Sequence, residues 1–253
     1  MIAAPPGYER FAIGDATVVA LRDAVVGLQE ALHLCRTLHG WAATSPGATA
    51  HLGRATTWGA RLPSSDIDMV VRHSRRGGLM AAITDDLFIR PSRAPWELQA
   101  SLRLRAAGVA TPELVAYLLY PAAPGLCRSD VATRRLPPGE DFPAAWQSVP
   151  DAEHESQLAA IGDLLRDLQR AGAHHPDLNA KNIYLVRDET YGTWKAFALD
   201  LDRVQFVGTK TNAAGAGNAA RLRRSLLKWR TKQGLVIADS ELAMLDAAAG
   251  NRP

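Results

Sequence analysis

Residues 174–182 read HHPDLNAKN. A His-x-Asp with an Asn five positions after the Asp, directly behind an amphipathic segment, gathers a carboxylate and a carboxamide in one polar loop. The carboxylate of Asp177 can take a proton from a hydroxyl, and the amide oxygen of Asn182 can ligate a divalent cation. Further along, Asp200 closes the apolar run AFAL and is followed by Leu201 and Asp202. Strand-end carboxylates and an amide suit magnesium, which prefers hard oxygen ligands and completes its shell with waters and phosphates. A magnesium nucleotide site is the chemistry this set points to. A capping Asp with a turn Asn would explain the loop structurally. The helix before it, the two strands after it and Asp200 together make the catalytic reading the more specific one. His175 is expected to be a structural hydrogen-bond partner in the loop, His174 to be exposed, and Asp202 to act as a second metal ligand or to pair with its neighbour Arg203.

Around this loop lies a chain of 253 residues, 47% hydrophobic, enough to bury a core in one domain or in two closely joined lobes. No run of eighteen or so apolar residues occurs, and MIAAPPGYERF has neither a basic start nor an apolar core, so a spanning helix and an export signal are not expected. The expected location is the cytoplasm. Cys35 and Cys127 lack the spacing of a disulfide framework or a zinc site and are expected to be buried thiols. The net charge is +3, but the bases cluster. RHSRRGG (Arg72, His73, Arg75, Arg76) and RLRRSLLKWRTK (Arg221 to Lys232) contain no acid, and each suits a phosphorylated substrate, an anionic membrane or nucleic acid.

The elements that must position these residues follow from periodicity. Leu21, Val25, Leu28, Leu32 and Cys35 predict a helix over 17–39. HLGRATTWGARL and DIDMVVRH, separated by Pro63 and a Ser/Asp cluster, predict a hairpin. From Arg93, Trp96, Leu98, Leu102 and Leu104 predict a helix to Gly108, followed by strands in LVAYLLYP and CRSDVATRRL. The Pro/Gly-rich stretch 137–150 is the expected hinge. Leu158, Ile161, Leu165 and Leu168 predict an amphipathic helix stopped at Gly172. NIYLVRD and TWKAFALDLD read as strands joined at ETYG, and Leu222, Leu226 and Trp229 as the packing face of a last helix.

The series His175-x-Asp177-x-x-x-x-Asn182, with Asp200 after an apolar strand, resembles the catalytic loop and metal-binding Asp of the protein-kinase-like fold. HPDLNAKNIYL and ALDLDR resemble more closely a bacterial branch of that fold, the lipopolysaccharide core kinases, and within it the 3-deoxy-D-manno-octulosonic acid (Kdo) kinases. VVRHSRRGGL is similar to that family's strand and basic turn, and PWELQASLRLRAAGVATPELVAY to its helix. The resemblance covers about residues 50–232. It implies an α+β, two-lobed fold with a small strand-rich N-lobe (50–140) and a mainly helical C-lobe (141–253), preceded by a helical extension (1–49).

By that resemblance Asp177 receives or orients the proton of a sugar hydroxyl, and Asn182 and Asp200 hold Mg2+ against the phosphates of ATP. Arg72 touches the α/β-phosphates and is paired by Glu97, while Gly53 and Gly59 flank the loop over the nucleotide. Arg75 and Arg76 are expected to contact an anionic substrate or lipid head group. The implied substrate is Kdo-lipid A, phosphorylated on the 4-hydroxyl of Kdo, and the implied place is the cytoplasmic face of the inner membrane, where the basic helix could touch anionic lipid. No nucleic acid partner is expected. The chain departs from protein kinases in having Arg for the phosphate-binding Lys, Asp-Leu-Asp for the DFG triplet, and no dense G-x-G-x-x-G. Two other readings remain open at this point. One is a kinase for another acceptor, such as a heptose, a small molecule or a protein, and the other is a silent basic scaffold on the same fold.

Overall fold

The computed structural model describes residues 4–51, 56–75, 86–208 and 213–249. The chain divides into two compact units, Met1–Leu98 with Glu113–Arg135, and Gln99–Pro112 with Leu136–Pro253. Gly53, Arg76, Gly77 and Gly78 lie outside the described residues.

The first unit is built on a sheet of β1 (Tyr8–Ile13), β2 (Ala16–Leu21), β3 (Thr49–His51), β4 (Thr57–Arg61), β5 (Asp68–His73), β6 (Phe88–Ile89), β7 (Leu114–Ala123) and β8 (Leu126–Arg134). Its order is β1-β2-β7-β8-β5-β4-β3, with β6 beside β8. The paired strands are antiparallel. The expected hairpin corresponds to β4 and β5, with Trp58 opposite Val71. Gly59 is needed for sheet packing: it faces Thr49 across the ladder, and a Cβ there would collide with the Thr49 hydroxyl. In β7, Leu114 to Tyr120 are buried without alternation, which accounts for the unbroken apolar run.

The N-terminus differs from the expectation of a helical extension. Residues 16–21 form β2, and only from Val25 does the chain become helical, in α1 (Val25–Leu34) and α2 (Leu38–Thr44). The β-branched run TVV sits better on a pleated surface than on a helix. A two-residue loop, Gly14-Asp15 with Gly14 at φ 57°, turns β1 into β2. Residues of α1 and α2 join β2, β4, β5, β7 and β8 in one apolar core containing Leu28, Leu38, Trp41, Met69, Val71 and Leu118.

That core encloses a polar network. Asp130 on β8 is fully buried. Its carboxylate accepts hydrogen bonds from the His39 backbone N–H at 2.9 Å and the Tyr120 hydroxyl at 2.9 Å, and lies 2.6 Å from Nδ1 of His73 on β5. The Tyr120 hydroxyl in turn accepts from the Leu38 backbone N–H at 2.9 Å. The other ring nitrogen of His73 is 3.3 Å from Asp86, which also receives the Arg128 guanidinium at 2.6 Å, and the His39 ring is centred 5.9 Å away. The Asp130 hydrogen bond, supported by the two carboxylate charges and opposed by burial, raises the His73 pKa above its ordinary value. A raised folded-state value means stability that is full below the unfolded imidazole pKa and is lost as pH rises through the folded one. Urea unfolding is therefore expected to show stability falling above about pH 6.5, and this fall should be missing in His73→Gln.

The second unit contains most of the helix α3 (Ala94–Ala106), whose residues up to Leu98 belong to the first, together with α4 (Phe142–Gln147), α5 (Asp151–Arg170), α6 (Ala213–Gln233) and α7 (Asp239–Ala249). The buried face of α3 carries Ala94, Glu97, Leu98, Ser101 and Leu104, while Trp96 is exposed, so the apolar stripe read from the sequence was out of phase by a residue at its start. The strands are β9 (Glu140–Asp141), β10 (Ala173–His174), β11 (Ile183–Asp188), β12 (Thr193–Ala198) and β13 (Gln205–Phe206), arranged as β12-β11-β9 and β10-β13. Phe142, Trp146, Leu158, Ile161, Leu165, Leu168, Leu222 and Leu226 share its core.

The backbone changes unit at Arg135/Leu136, just before the stretch 137–150. Within that stretch residues 137–140 are exposed while Phe142 and Trp146 are buried, and the Tyr184 hydroxyl donates to the Pro137 carbonyl at 3.3 Å. Gly139 allows the backbone to lie against the Leu185 carbonyl, where a Cβ would clash, and Pro143 suits the first turn of α4.

Candidate active site

The site is assembled in the second unit on a chain reversal after α5. The four apolar residues named above anchor α5 in the core, and Gly172, at φ 63°, turns the backbone into β10. β10 pairs with β13, so the loop that follows His174 and the segment that precedes Gln205 start from a common ladder, His174 opposite Gln205.

Within the loop the main chain is held from several sides. The His175 backbone N–H donates to Asn218 Oδ1 at 2.8 Å, and Asn218 Nδ2 donates to the Ala173 carbonyl at 2.8 Å. Arg221 Nε donates to the Pro176 carbonyl at 2.9 Å, and the Ala180 N–H donates to Ser225 Oγ at 3.1 Å. Asn218, Arg221 and Ser225 recur at helical spacing on one face of α6, so one helix fastens the loop along its length. Asn218 and Ser225 are buried, which makes these bonds stronger than exposed ones.

Three further bonds join the residues picked out by chemistry. Asn182 Nδ2 donates to the Asp177 carbonyl at 2.8 Å, beside Asn179 Nδ2 at 3.0 Å. The Leu199 N–H donates to the Asn182 carbonyl at 2.9 Å, continuing the β11–β12 ladder in which Ile183 faces Ala198. The fully buried His175 ring meets the Leu199 carbonyl through Nε2 at 3.0 Å. A carbonyl can only accept, so Nε2 carries the proton. Burial, outweighing that bond and the nearby carboxylates, lowers the His175 pKa and favours a neutral ring. His175 thus ties the loop to the residue before Asp200, the structural part expected of it. His174 is half-buried rather than exposed, because its ring packs against Gly217.

Asp200 has φ 57° and ψ 67°, a left-handed conformation that costs a non-glycine residue on the order of 1–3 kcal/mol. It opens the short turn Leu201–Arg203 without a side-chain capping bond to it. Thr111 donates to the Ala198 carbonyl at 2.8 Å, and the Ala198 N–H donates to the Ala110 carbonyl at 2.9 Å, which fixes the strand leading to Asp200. Arg203 pairs with Asp177, Nη1 to Oδ2 at 3.2 Å.

In the first unit, Arg72 on β5 forms an ion pair with Glu97 in the first turn of α3; the Glu97 side chain is only 6% exposed. Arg75 lies just past β5. Half of the basic run of α6 has partners: besides Arg221, Arg223 pairs with Asp246 at 3.1 Å and Arg230 with Asp239 at 2.7 Å, while Arg224, Lys228 and Lys232 are exposed. Among the described residues no helix is long and apolar enough to cross a membrane. Cys127 is buried as expected, while Cys35 is only half-buried.

The donor set fits magnesium. Among the described residues no three His, Cys, Asp or Glu side chains form a metal cage, but magnesium takes one or two protein carboxylates and fills its shell from phosphates and water. The Nδ2 of Asn182 is committed to the Asp177 carbonyl, which leaves its amide oxygen as the group that could ligate a cation.

A strand-rich unit with a part-buried Arg–Glu pair and a mainly helical unit with a His-x-Asp loop bonded to the residue before a strand-end Asp form a two-lobed, kinase-like α+β fold. A solved structure described as "WaaP in complex with acyl carrier protein" shares it, with a TM-score of 0.53 and 19% identity over 86% of this chain and 83% of that one. The model of the lipopolysaccharide kinase (Kdo/WaaP) family matches residues 41–244, and the chain belongs to that family of phosphotransferases with a hydroxyl acceptor. Among its relatives is a 3-deoxy-D-manno-octulosonic acid kinase of Vibrio parahaemolyticus, 29% identical over 213 residues, 82% of this chain and 84% of the relative. Another of the same name, from Mannheimia succiniciproducens, is 32% identical over 185 residues, 70% of this chain and 73% of the relative.

Proposed function

We propose that this lipopolysaccharide kinase transfers the γ-phosphate of ATP to a hydroxyl of Kdo on Kdo-lipid A, the 4-hydroxyl in particular. The observation that supports the reading is the bonded series Asp177–Asn182–Leu199, which ties the main chain of Asp177 to Asn182 and to the residue before Asp200. The relatives named Kdo kinase support the acceptor.

In this reading Asp177 accepts a hydrogen bond from the attacking hydroxyl and takes its proton as the phosphoryl group departs from ADP. Asn182 and Asp200 hold magnesium. When bound, the ion neutralises charge on the phosphate oxygens. Arg72, kept in one orientation by Glu97, offers a planar fork to the α/β-phosphates where protein kinases use a Lys. Gly53 belongs to the nucleotide-covering loop, and Arg75 and Arg76 meet anionic groups of the lipid acceptor. Because the acceptor is a lipid, the enzyme works at the cytoplasmic face of the inner membrane.

Incubating the purified chain with ATP, magnesium and Kdo-lipid A is expected to add one phosphate to the Kdo residue, read by mass spectrometry, with heptose and aminoglycoside acceptors left unmodified. Phosphorylation of one of those acceptors in place of Kdo would refute the assignment.

A further inference from the structure

Arg203 is a cation placed on the residue that must meet the acceptor. Its Nη1 lies 3.2 Å from Oδ2 of Asp177, with the Arg203 side chain 46% and the Asp177 side chain 37% exposed. An ion pair this open contributes little to folding, and the Asp177 loop is already held through its main chain by Asn182, Asn179, Arg221 and Asn218. The fold therefore gives no reason for a guanidinium at this point.

The acceptor does give one. A guanidinium presents five N–H donors in a planar fork, and the Arg203 side chain that contacts Asp177 is 46% exposed. An acceptor hydroxyl in hydrogen-bond reach of Asp177 brings the atoms one or two bonds away from it within reach of the same fork. A second guanidinium, Arg221, is bound one residue earlier, at the Pro176 carbonyl. The nearby carboxylates of Asp200 and Asp202 are on the chain segment that leads into Arg203, and Asp200 is taken up by the magnesium in the reading above. An amino sugar would be repelled by Arg203, a neutral sugar would leave its donors on water, and a carboxylate would receive two charge-assisted hydrogen bonds.

We propose that Arg203 is an acceptor-binding residue that recognises a carboxylate on the sugar bearing the reactive hydroxyl, bridging it to Asp177. The enzyme thereby selects acidic sugars over neutral or amino sugars at the point of phosphoryl transfer. This inference rests on the reading of Asp177 as the residue that meets the acceptor hydroxyl.

The test compares Kdo-lipid A with the same lipid carrying its Kdo carboxyl as a methyl ester, using the wild-type chain, Arg203→Gln and Arg203→Lys, with circular dichroism to verify folding. Wild type is expected to prefer the acid over the ester by about 10- to 100-fold in kcat/KM, the worth of a charge-assisted pair. In Arg203→Gln the acceptor KM should rise by a similar factor, the KM for ATP should change less than about twofold, and the acid-to-ester preference should collapse; Arg203→Lys should restore part of it. Equal use of acid and ester by wild type, or the same preference in wild type and Arg203→Gln, overturns the inference and leaves the Kdo kinase reading standing. A wild-type chain that phosphorylates neither Kdo lipid overturns both.

Discussion

Replacing Asp177 by Ala is expected to lower kcat for phosphoryl transfer by about a hundred- to ten-thousand-fold, the range supplied by a positioned general base. The fold should survive. The two Asn side chains that organise the loop bind the Asp177 carbonyl, which every residue has, and not its carboxylate. Among the described residues its carboxylate pairs with Arg203 in a half-open ion pair, worth about 0–1 kcal/mol. Thermal unfolding should therefore shift little while turnover collapses, and nucleotide binding should persist. Asp177→Asn keeps the shape and should be nearly as inactive, since an amide cannot take the proton. Full activity in either variant, or loss of activity only through loss of folded protein, would contradict the assignment.

Replacing Asp130 by Ala is expected to have the opposite profile, a large loss of stability in a residue remote from the transferred group in chemistry. Its carboxylate is completely buried and meets the His39 N–H, the Tyr120 hydroxyl and the His73 ring. Removing it leaves the His39 N–H and the Tyr120 hydroxyl without this acceptor and the His73 ring with Asp86 alone. Losing one member of a buried, hydrogen-bonded charge pair costs about 3–5 kcal/mol. The urea midpoint should fall accordingly at pH 6. Tyr120→Phe removes one hydroxyl and should cost about 1 kcal/mol, so the two variants scale the network. Because His73 neighbours Arg72 on β5, the KM for ATP of folded Asp130→Ala protein should also rise.

The chemical core of the site was legible because its residues are close in sequence and their spacing encodes a loop between a helix and two strands. The positions of Asp177, Asn182 and Asp200 in one bonded system follow from a short stretch of chain. The amphipathic α5 and the β11–β12 hairpin were legible for the same reason, each being a local pattern with a clear stop signal at Gly172 or ETYG. What the sequence hid is held by partners far away. Asn218, Ser225 and Thr111 act on the loop from separations that no periodicity reveals, although Asn218, Arg221 and Ser225 share a helical face that could have drawn notice. β2 was misread because Leu21, Val25 and Leu28, at helical spacing, straddle the end of a strand and the start of a helix; the Gly14-Asp15 turn before TVVAL was the better signal. Stretch 137–150 has the composition of a linker, and its burial comes from Leu185 and the core around Trp146, which composition does not show. The pairing of Arg203 with Asp177 joins residues 26 positions apart, which sequence adjacency does not show.

The fastening of residues 173–180 by α6 has a bearing on how this enzyme could be shortened or redesigned. The proposed chemical residues of the second unit, Asp177, Asn182 and Asp200, precede residue 204, while Asn218, Arg221 and Ser225 hold the loop from later in the chain. A minimal fragment must run past the last of these, and new acceptor preferences are better grafted at side chains such as Arg203 than by exchanging the loop wholesale.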